Sequence, residues 1–101
     1  MFLTAGGYEI VARNVRTKLG EIDLLARHDG VLIFVEVKTR RGDRFGSGAD
    51  AVGFRKQERL RRLALAYLGS SIANQPIRFD VVDVLFSRGR EPVIRHIANA
   101  F

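Results

Sequence analysis

The chain contains no cysteine. Neither a disulfide framework nor a thiolate zinc site can be built from it, and the cytoplasm is the expected compartment. No apolar run approaches the roughly 20 residues of a membrane-spanning helix, so no membrane partner is expected. The opening Met1-Phe2-Leu3-Thr4-Ala5-Gly6-Gly7 has neither the basic start nor the long apolar centre of a signal peptide. The two histidines, His28 and His96, have no metal-ligand spacing to each other or to an acidic motif, and both are expected to be structural. There is no repeat, low-complexity tract, P-loop or GxGxxG phosphate loop.

What is present is one domain's worth of chain, residues 1–101, with a marked excess of positive charge. Seventeen Lys and Arg stand against 11 Asp and Glu, a net charge of +6. Such an excess suits a polyanionic partner, most simply nucleic acid, although solubilising surface charge gives the same total. The distribution says more. Arg40, Arg41, Arg44, Arg55, Lys56, Arg59 and Arg61 all fall between Lys38 and Arg62.

The chain is organised around residues 20–38. Two β-rich runs flank Asp29-Gly30, a pair suited to the positive φ angles of a two-residue hairpin turn. His28 then pairs with Val31, Asp23 faces Glu36, and Glu21 faces Lys38. Alternation gives one expected core face of Ile22, Leu24, Ala26, Ile33, Val35 and Val37. The other face carries Leu25, Leu32 and Phe34 near the turn, then Glu21, Asp23, Glu36 and Lys38. Like charges directly opposite one another destabilise a sheet. A divalent cation would relieve Asp23 and Glu36, because Mg²⁺ is typically held by one or two carboxylates plus substrate phosphates. Lys38 points to the same side as a point charge for phosphate. The alternatives are a Glu21–Lys38 ion pair, with Asp23 and Glu36 splayed into solvent.

Around this hairpin, residues 8–13 read as a first strand and 14–19 as a polar connection. Thr39 to Gly48 reads as a basic loop, either a flap that closes on a nucleic-acid backbone or a plain surface connection. A helical turn is expected at 49–52. Phe54 to Leu68 reads as a helix with an apolar stripe of Leu60, Leu63, Ala64, Tyr67 and Leu68, ended by Gly69-Ser70-Ser71. Lys56 and Gln57 put polar groups on or beside that stripe in the first turn, where a phosphate or a water would satisfy them. Ile77 to Phe86 reads as a central strand, with an Arg78–Asp80 ion pair. Val93 to Ala98 reads as a short edge strand.

Several stretches carry a family resemblance. They are Gly7-Tyr8-Glu9-Ile10, Arg13-Asn14, Gly20-Glu21-Ile22-Asp23-Leu24, Phe34-Val35-Glu36-Val37-Lys38-Thr39-Arg40, Lys56-Gln57 with Leu60 and Tyr67-Leu68, Arg78-Phe79-Asp80-Val81-Val82 and Asn99-Ala100-Phe101. Together they resemble the bacterial YraN family, which is similar to Holliday-junction-resolvase-type endonucleases of the PD-(D/E)XK superfamily. The resemblance implies an α/β fold with a restriction-endonuclease-like three-layer core, a mixed sheet flanked by helices. It implies Mg²⁺ or Mn²⁺ as cofactor and hydrolysis of phosphodiesters in structured nucleic acid, DNA first. A non-catalytic nucleic-acid-binding module on the same fold is the alternative.

By position, Asp23 and Glu36 would be metal ligands and Lys38 would orient the attacking water and offset phosphate charge. Gln57 would face the site from the helix. Arg40, Arg41, Arg44, Arg55, Lys56 and Arg59 would meet the nucleic-acid backbone. Family members begin with a helix ahead of the glycine–tyrosine segment. Phe2 to Ala5 reads as the last turn of that helix, so its body is expected to be missing. A helix from a second subunit would fill the gap, which makes a homodimer an expected partner.

Overall fold

The computed structural model describes residues 6–41, 53–69 and 74–101. Five strands and one helix follow in the order β1 (Glu9–Thr17), β2 (Gly20–His28), β3 (Val31–Arg41), α1 (Phe54–Leu68), β4 (Ile77–Phe86) and β5 (Val93–Ile97). The strands form one sheet in sequence order. All neighbours are antiparallel except β3 and β4, which run parallel. A parallel pair needs a crossover, and α1 lies in it. The result is an α/β fold on a mixed sheet, consistent with a restriction-endonuclease-like core. The expected helical turns at the chain start and at 49–52, and the basic loop with Arg44, lie outside the described residues.

The hairpin turn forms where the sequence places it. Asp29 has φ 51° and Gly30 φ 77°, and His28 pairs with Val31. A Cβ on Gly30 would meet nothing within 4 Å, so only the left-handed backbone opposes a side chain there. Gly30→Ala is therefore expected to cost about 1–2 kcal/mol. Urea denaturation reads this directly, and no loss would mean that the turn relaxes to another form.

The apolar face expected of the hairpin forms in part: Leu24, Ala26, Ile33 and Val35 share one cluster, while Ile22 joins the opposite face and Val37 is exposed. Ile22, Leu25, Leu32 and Phe34 pack with Leu60, Leu63 and Ala64 of α1 and with Phe79 and Val81 of β4. Leu24, Ala26, Ile33, Val35 and Val82 form a second cluster, flanked by Tyr8 and Ile10. Both faces of the sheet are thus apolar in the middle, and Val37 is exposed. Ile22 and Leu24 are two apart yet join different clusters, so strand alternation breaks at Asp23.

The partner strand breaks at the same level. Arg13 pairs with Leu24 and Val15 with Ile22. Asn14, which lies between them, has φ 51°, and asparagine is among the side chains that adopt this conformation most readily. Ala12 and Val15 therefore both reach the α1 cluster. A second irregularity lies between Ile10 and Ala12. β1 runs on to Thr17, so the expected polar connection at 14–19 shrinks to a turn at Lys18-Leu19.

The helix and β4 begin and end where they were expected. Gly69 takes φ 54° and donates its N–H to the Leu65 carbonyl, closing α1. β3 runs through Thr39 to Arg41, where a loop was expected. β4 accounts for the extension, since Thr39, Arg40 and Arg41 pair with Val84, Leu85 and Phe86.

Candidate metal and phosphate site

On the α1 side of the sheet, β3 presents Leu32, Phe34, Glu36, Lys38 and Arg40 in turn. The same side of β4 presents Phe79, Val81, Asp83 and Leu85, with Lys38 beside Asp83. The surface is apolar under the middle of α1 and becomes charged under its first turn. The candidate residues gather there.

β2 and β3 stay paired from the turn to Leu24–Val35. The expected facing pairs Asp23–Glu36 and Glu21–Lys38 lie beyond this ladder. The strands part where β2 changes faces, and Asp23 fills the opening. Its Oδ2 accepts a hydrogen bond from the Val37 N–H at 3.0 Å. By the alternation of an antiparallel ladder that N–H would otherwise serve β2's backbone. Asp23 is thereby held against β3 with one carboxylate oxygen bonded. Glu21 turns instead toward Arg16, 4.0 Å away.

Glu36 is buried, with only 6% of its surface exposed. An ionised carboxylate at such depth needs a partner. Lys56 supplies it from the first turn of α1, by an ion pair to Glu36 Oε1. The Lys38 ammonium lies beside that of Lys56 and within the fields of Glu36 and Asp23. Lys56 beside it, and then burial, lower the pKa of Lys38; Glu36 and Asp23 only partly offset this. Burial pulls Lys56 down as well, but its bonds to Glu36 and Lys38 outweigh that and hold it above the usual lysine value. Of the two lysines, Lys38 is the readier to give up its proton.

The structure brings Asp23, Glu36, Lys38 and Lys56 together, and Lys56 faces the carboxylate, not the solvent. Gln57 is half-buried in the same first turn, and its backbone N–H donates to the Gly53 carbonyl at 3.0 Å. Arg40 is drawn away, bonding the buried Asp83 at 3.1 and 2.5 Å. Arg95 of β5 reaches the same carboxylate at 3.3 Å. Arg41, Arg55 and Arg59 are exposed.

Two buried aspartates escaped the sequence reading in whole or part. No local pattern marks Asp83, because only the β3–β4 register sets it beside Lys38. Asp80 pairs with Arg78 as expected, at 2.8 and 2.9 Å, but it also has His96 Nε2 at 2.6 Å and accepts the Asn99 N–H at 3.0 Å. Arg78 goes on to the Tyr8 hydroxyl at 2.8 Å, and Tyr8 stacks on His28 with centroids 4.3 Å apart. Both histidines thus belong to a structural network on the far face of the sheet.

Among the described residues, no three His, Cys, Asp or Glu side chains are grouped as a metal cage. The pair that is present still suits a hard, oxygen-seeking ion. Mg²⁺ is commonly held by one or two carboxylates and completes its shell with water and phosphate. Asp23 and Glu36 each have one oxygen beyond the bonds described.

The fold and this cluster define an α/β protein in which two carboxylates and two lysines meet where β2 and β3 part beneath a helix. The family model described as "Uncharacterised protein family UPF0102" matches residues 1–84. A UPF0102 protein of Nocardia farcinica is 54% identical over 101 residues, covering 99% of this chain and 80% of that one. One from Symbiobacterium thermophilum is 56% identical over 103 residues, covering 99% and 86%. One from Rhodococcus jostii is 48% identical over 101 residues, covering 99% and 86%. The chain belongs to the UPF0102 family, the YraN-type family that its motifs resemble. No helix among the described residues is long and apolar enough to cross a membrane.

Proposed function

We propose that this protein is a metal-dependent nuclease of the PD-(D/E)XK type, hydrolysing phosphodiesters in structured nucleic acid, with DNA as the expected substrate. The observation that carries the reading is the meeting of Asp23 and Glu36 with Lys38 and Lys56 in the gap between β2 and β3. Asp23 and Glu36 would hold Mg²⁺ or Mn²⁺. When bound, such an ion polarises a phosphoryl oxygen and lowers the pKa of a coordinated water.

The chain's own residues do the rest. Burial keeps the Glu36 carboxylate in a low-dielectric setting, where its attraction to a cation is strong. The Val37 N–H fixes the direction of Asp23. Lys38 sits where phosphate charge would be met, within the fields of Glu36 and Asp23. Lys56 holds Glu36 in place and adds a second positive charge. Water adds to phosphorus and one P–O bond breaks, leaving a phosphomonoester and a free hydroxyl.

The engagement of Glu36 by Lys56 favours one other reading, a non-catalytic nucleic-acid-binding module in which the ion pair replaces a metal. Calorimetry with Mg²⁺ and Mn²⁺, on the chain and on Asp23→Asn, separates the two. Asparagine still accepts the Val37 N–H through its amide oxygen but loses the charge. The expected result is binding by the chain, weaker in Asp23→Asn by more than the roughly 10- to 100-fold lost with a residue that only supports a ligand, and cleavage of branched DNA only with metal. Absence of metal binding and of cleavage in the chain, with DNA still bound, would leave the binding module.

A further inference from the structure

A second surface lies along α1, beside the β1–β2 turn. It is a groove of about 430 Å³ between α1 and the β1–β2 turn, lined by Leu19, Phe54, Arg55, Glu58, Arg59 and Arg62. Phe54 is 73% exposed and Leu19 51%. Neither packs in a core cluster.

Arg55, Arg59 and Arg62 follow one another at four and three residues, so they stand in a line along one side of the helix. All three are exposed. Among the described residues none is held by a carboxylate. The groove's one acid, Glu58, is already engaged by Arg61 at 2.9 Å. Arg61 in turn lies over the Phe101 ring, 5.5 Å from its centroid. The groove therefore offers three guanidinium groups without a carboxylate partner among the described residues, an exposed aromatic ring and an apolar shoulder.

We propose that this groove binds a single-stranded segment of nucleic acid. An unpaired base would stack on Phe54 against Leu19, and successive phosphates would lie along Arg59 and Arg62. Aromatic rings set in a basic groove are how sequence-tolerant single-strand binding is built. The spacing agrees. Arg55 to Arg62 spans about 10.5 Å of helix, about three nucleotides of a stacked strand at ~3.4 Å each. An acidic peptide would satisfy the arginines but has no use for the exposed ring. Duplex DNA would meet the arginines with its backbone and keep its bases stacked away from Phe54. This inference rests on the nucleic-acid partner of the proposed function but not on its metal chemistry. It narrows the substrate to one with an unpaired stretch next to the cleavage site.

The test is fluorescence anisotropy with a labelled single-stranded oligonucleotide, a duplex of the same sequence and a labelled poly-glutamate peptide, all in EDTA. The proteins are the chain, Phe54→Ala, and the triple variant Arg55→Gln, Arg59→Gln, Arg62→Gln. Every altered side chain is exposed, and circular dichroism confirms folding. The expected result is preference for the single strand, weakened roughly five-fold or more in Phe54→Ala. The triple variant should lower the salt slope of log Kd by about 2, from ~0.7 per phosphate contact. Equal binding of duplex and single strand, or no effect of Phe54→Ala, would overturn the stacking groove while leaving the nuclease reading intact. Equal binding of poly-glutamate would overturn the choice of partner. No binding of either nucleic acid would overturn this inference, and metal calorimetry would then show independently whether the carboxylate site stands.

Discussion

Asp80→Ala is expected to cost about 3–5 kcal/mol of stability, the range for removing one partner of a buried ion pair. Small domains hold only about 5–15 kcal/mol in total, so the variant should be close to unfolding at room temperature. Asp80 has no exposed surface. Its two oxygens receive Arg78 twice, the Asn99 N–H and the His96 ring. One carboxylate thereby fastens β4, β5 and the segment after β5, and through Arg78 it reaches Tyr8 ahead of β1. Truncation would leave the Arg78 guanidinium without its charge partner in a largely buried setting. Urea denaturation is the measurement, and a loss under about 1 kcal/mol would show that the network is incidental.

A gentler variant tests the same site through pH. Burial by itself would raise the Asp80 pKa, but the Arg78, Asn99 and His96 contacts outweigh it and hold the carboxyl below its usual range. A depressed carboxylate contributes stability that is fully present above its unfolded pKa, about 4. That contribution is lost as pH falls through the folded value. The stability gap between the chain and Asp80→Asn should therefore narrow as pH falls below about 4. A gap that does not change with pH would mean that the charge itself contributes nothing.

Glu36→Gln carries the largest expected effect on activity. If Glu36 is a metal ligand, loss of its charge should weaken Mg²⁺ or Mn²⁺ binding more than about 100-fold, beyond the 10- to 100-fold typical of residues that merely support a ligand. Cleavage should fall to background. A purely structural Glu36 predicts something else, because Lys56 would be left half-buried without a carboxylate. Stability would fall while metal binding was unchanged. Pairing Glu36→Gln with Lys56→Met resolves the two. The double variant should recover much of the lost stability, since replacing both members of a buried pair is tolerated far better than removing one. It should recover none of the metal binding. Metal binding retained in Glu36→Gln would remove Glu36 from the site.

Much of the frame was legible because local chemistry and tertiary structure agree. Asp29-Gly30 demands a tight turn whatever surrounds it. The stripe of Leu60, Leu63 and Ala64 is helical in period and finds a sheet to cover. Gly69 closes the helix as glycine does elsewhere. Legibility ended where one strand's behaviour depends on another's. Apart from the β-branched Thr39, little in Thr39-Arg40-Arg41 favours a strand; those residues are one because β4 lies alongside. The change of faces at Asp23 requires Asn14 to turn left-handed across the ladder. Asparagine's tolerance for that conformation was the one available signal. The acid–acid clash at Asp23 and Glu36 pointed to the right residues through a facing geometry that the ladder does not extend to. Lys56 was noticed for sitting too far inward. Its partner is Glu36, and no spacing rule links positions 20 apart on a strand and a helix.

The kink in β1 has a consequence for how these molecules behave in a crowd. β1 is an outer strand, and an outer strand offers unpaired backbone groups to any other chain that can lie flat against it. Within its nine residues β1 carries one register shift, between Ile10 and Ala12, and one left-handed residue, Asn14. No regular run is left for a foreign strand to copy, and such distortions are a recognised guard against edge-to-edge growth. The irregularity at Asn14, across the ladder from Asp23, thus also guards this edge of the sheet against strand addition.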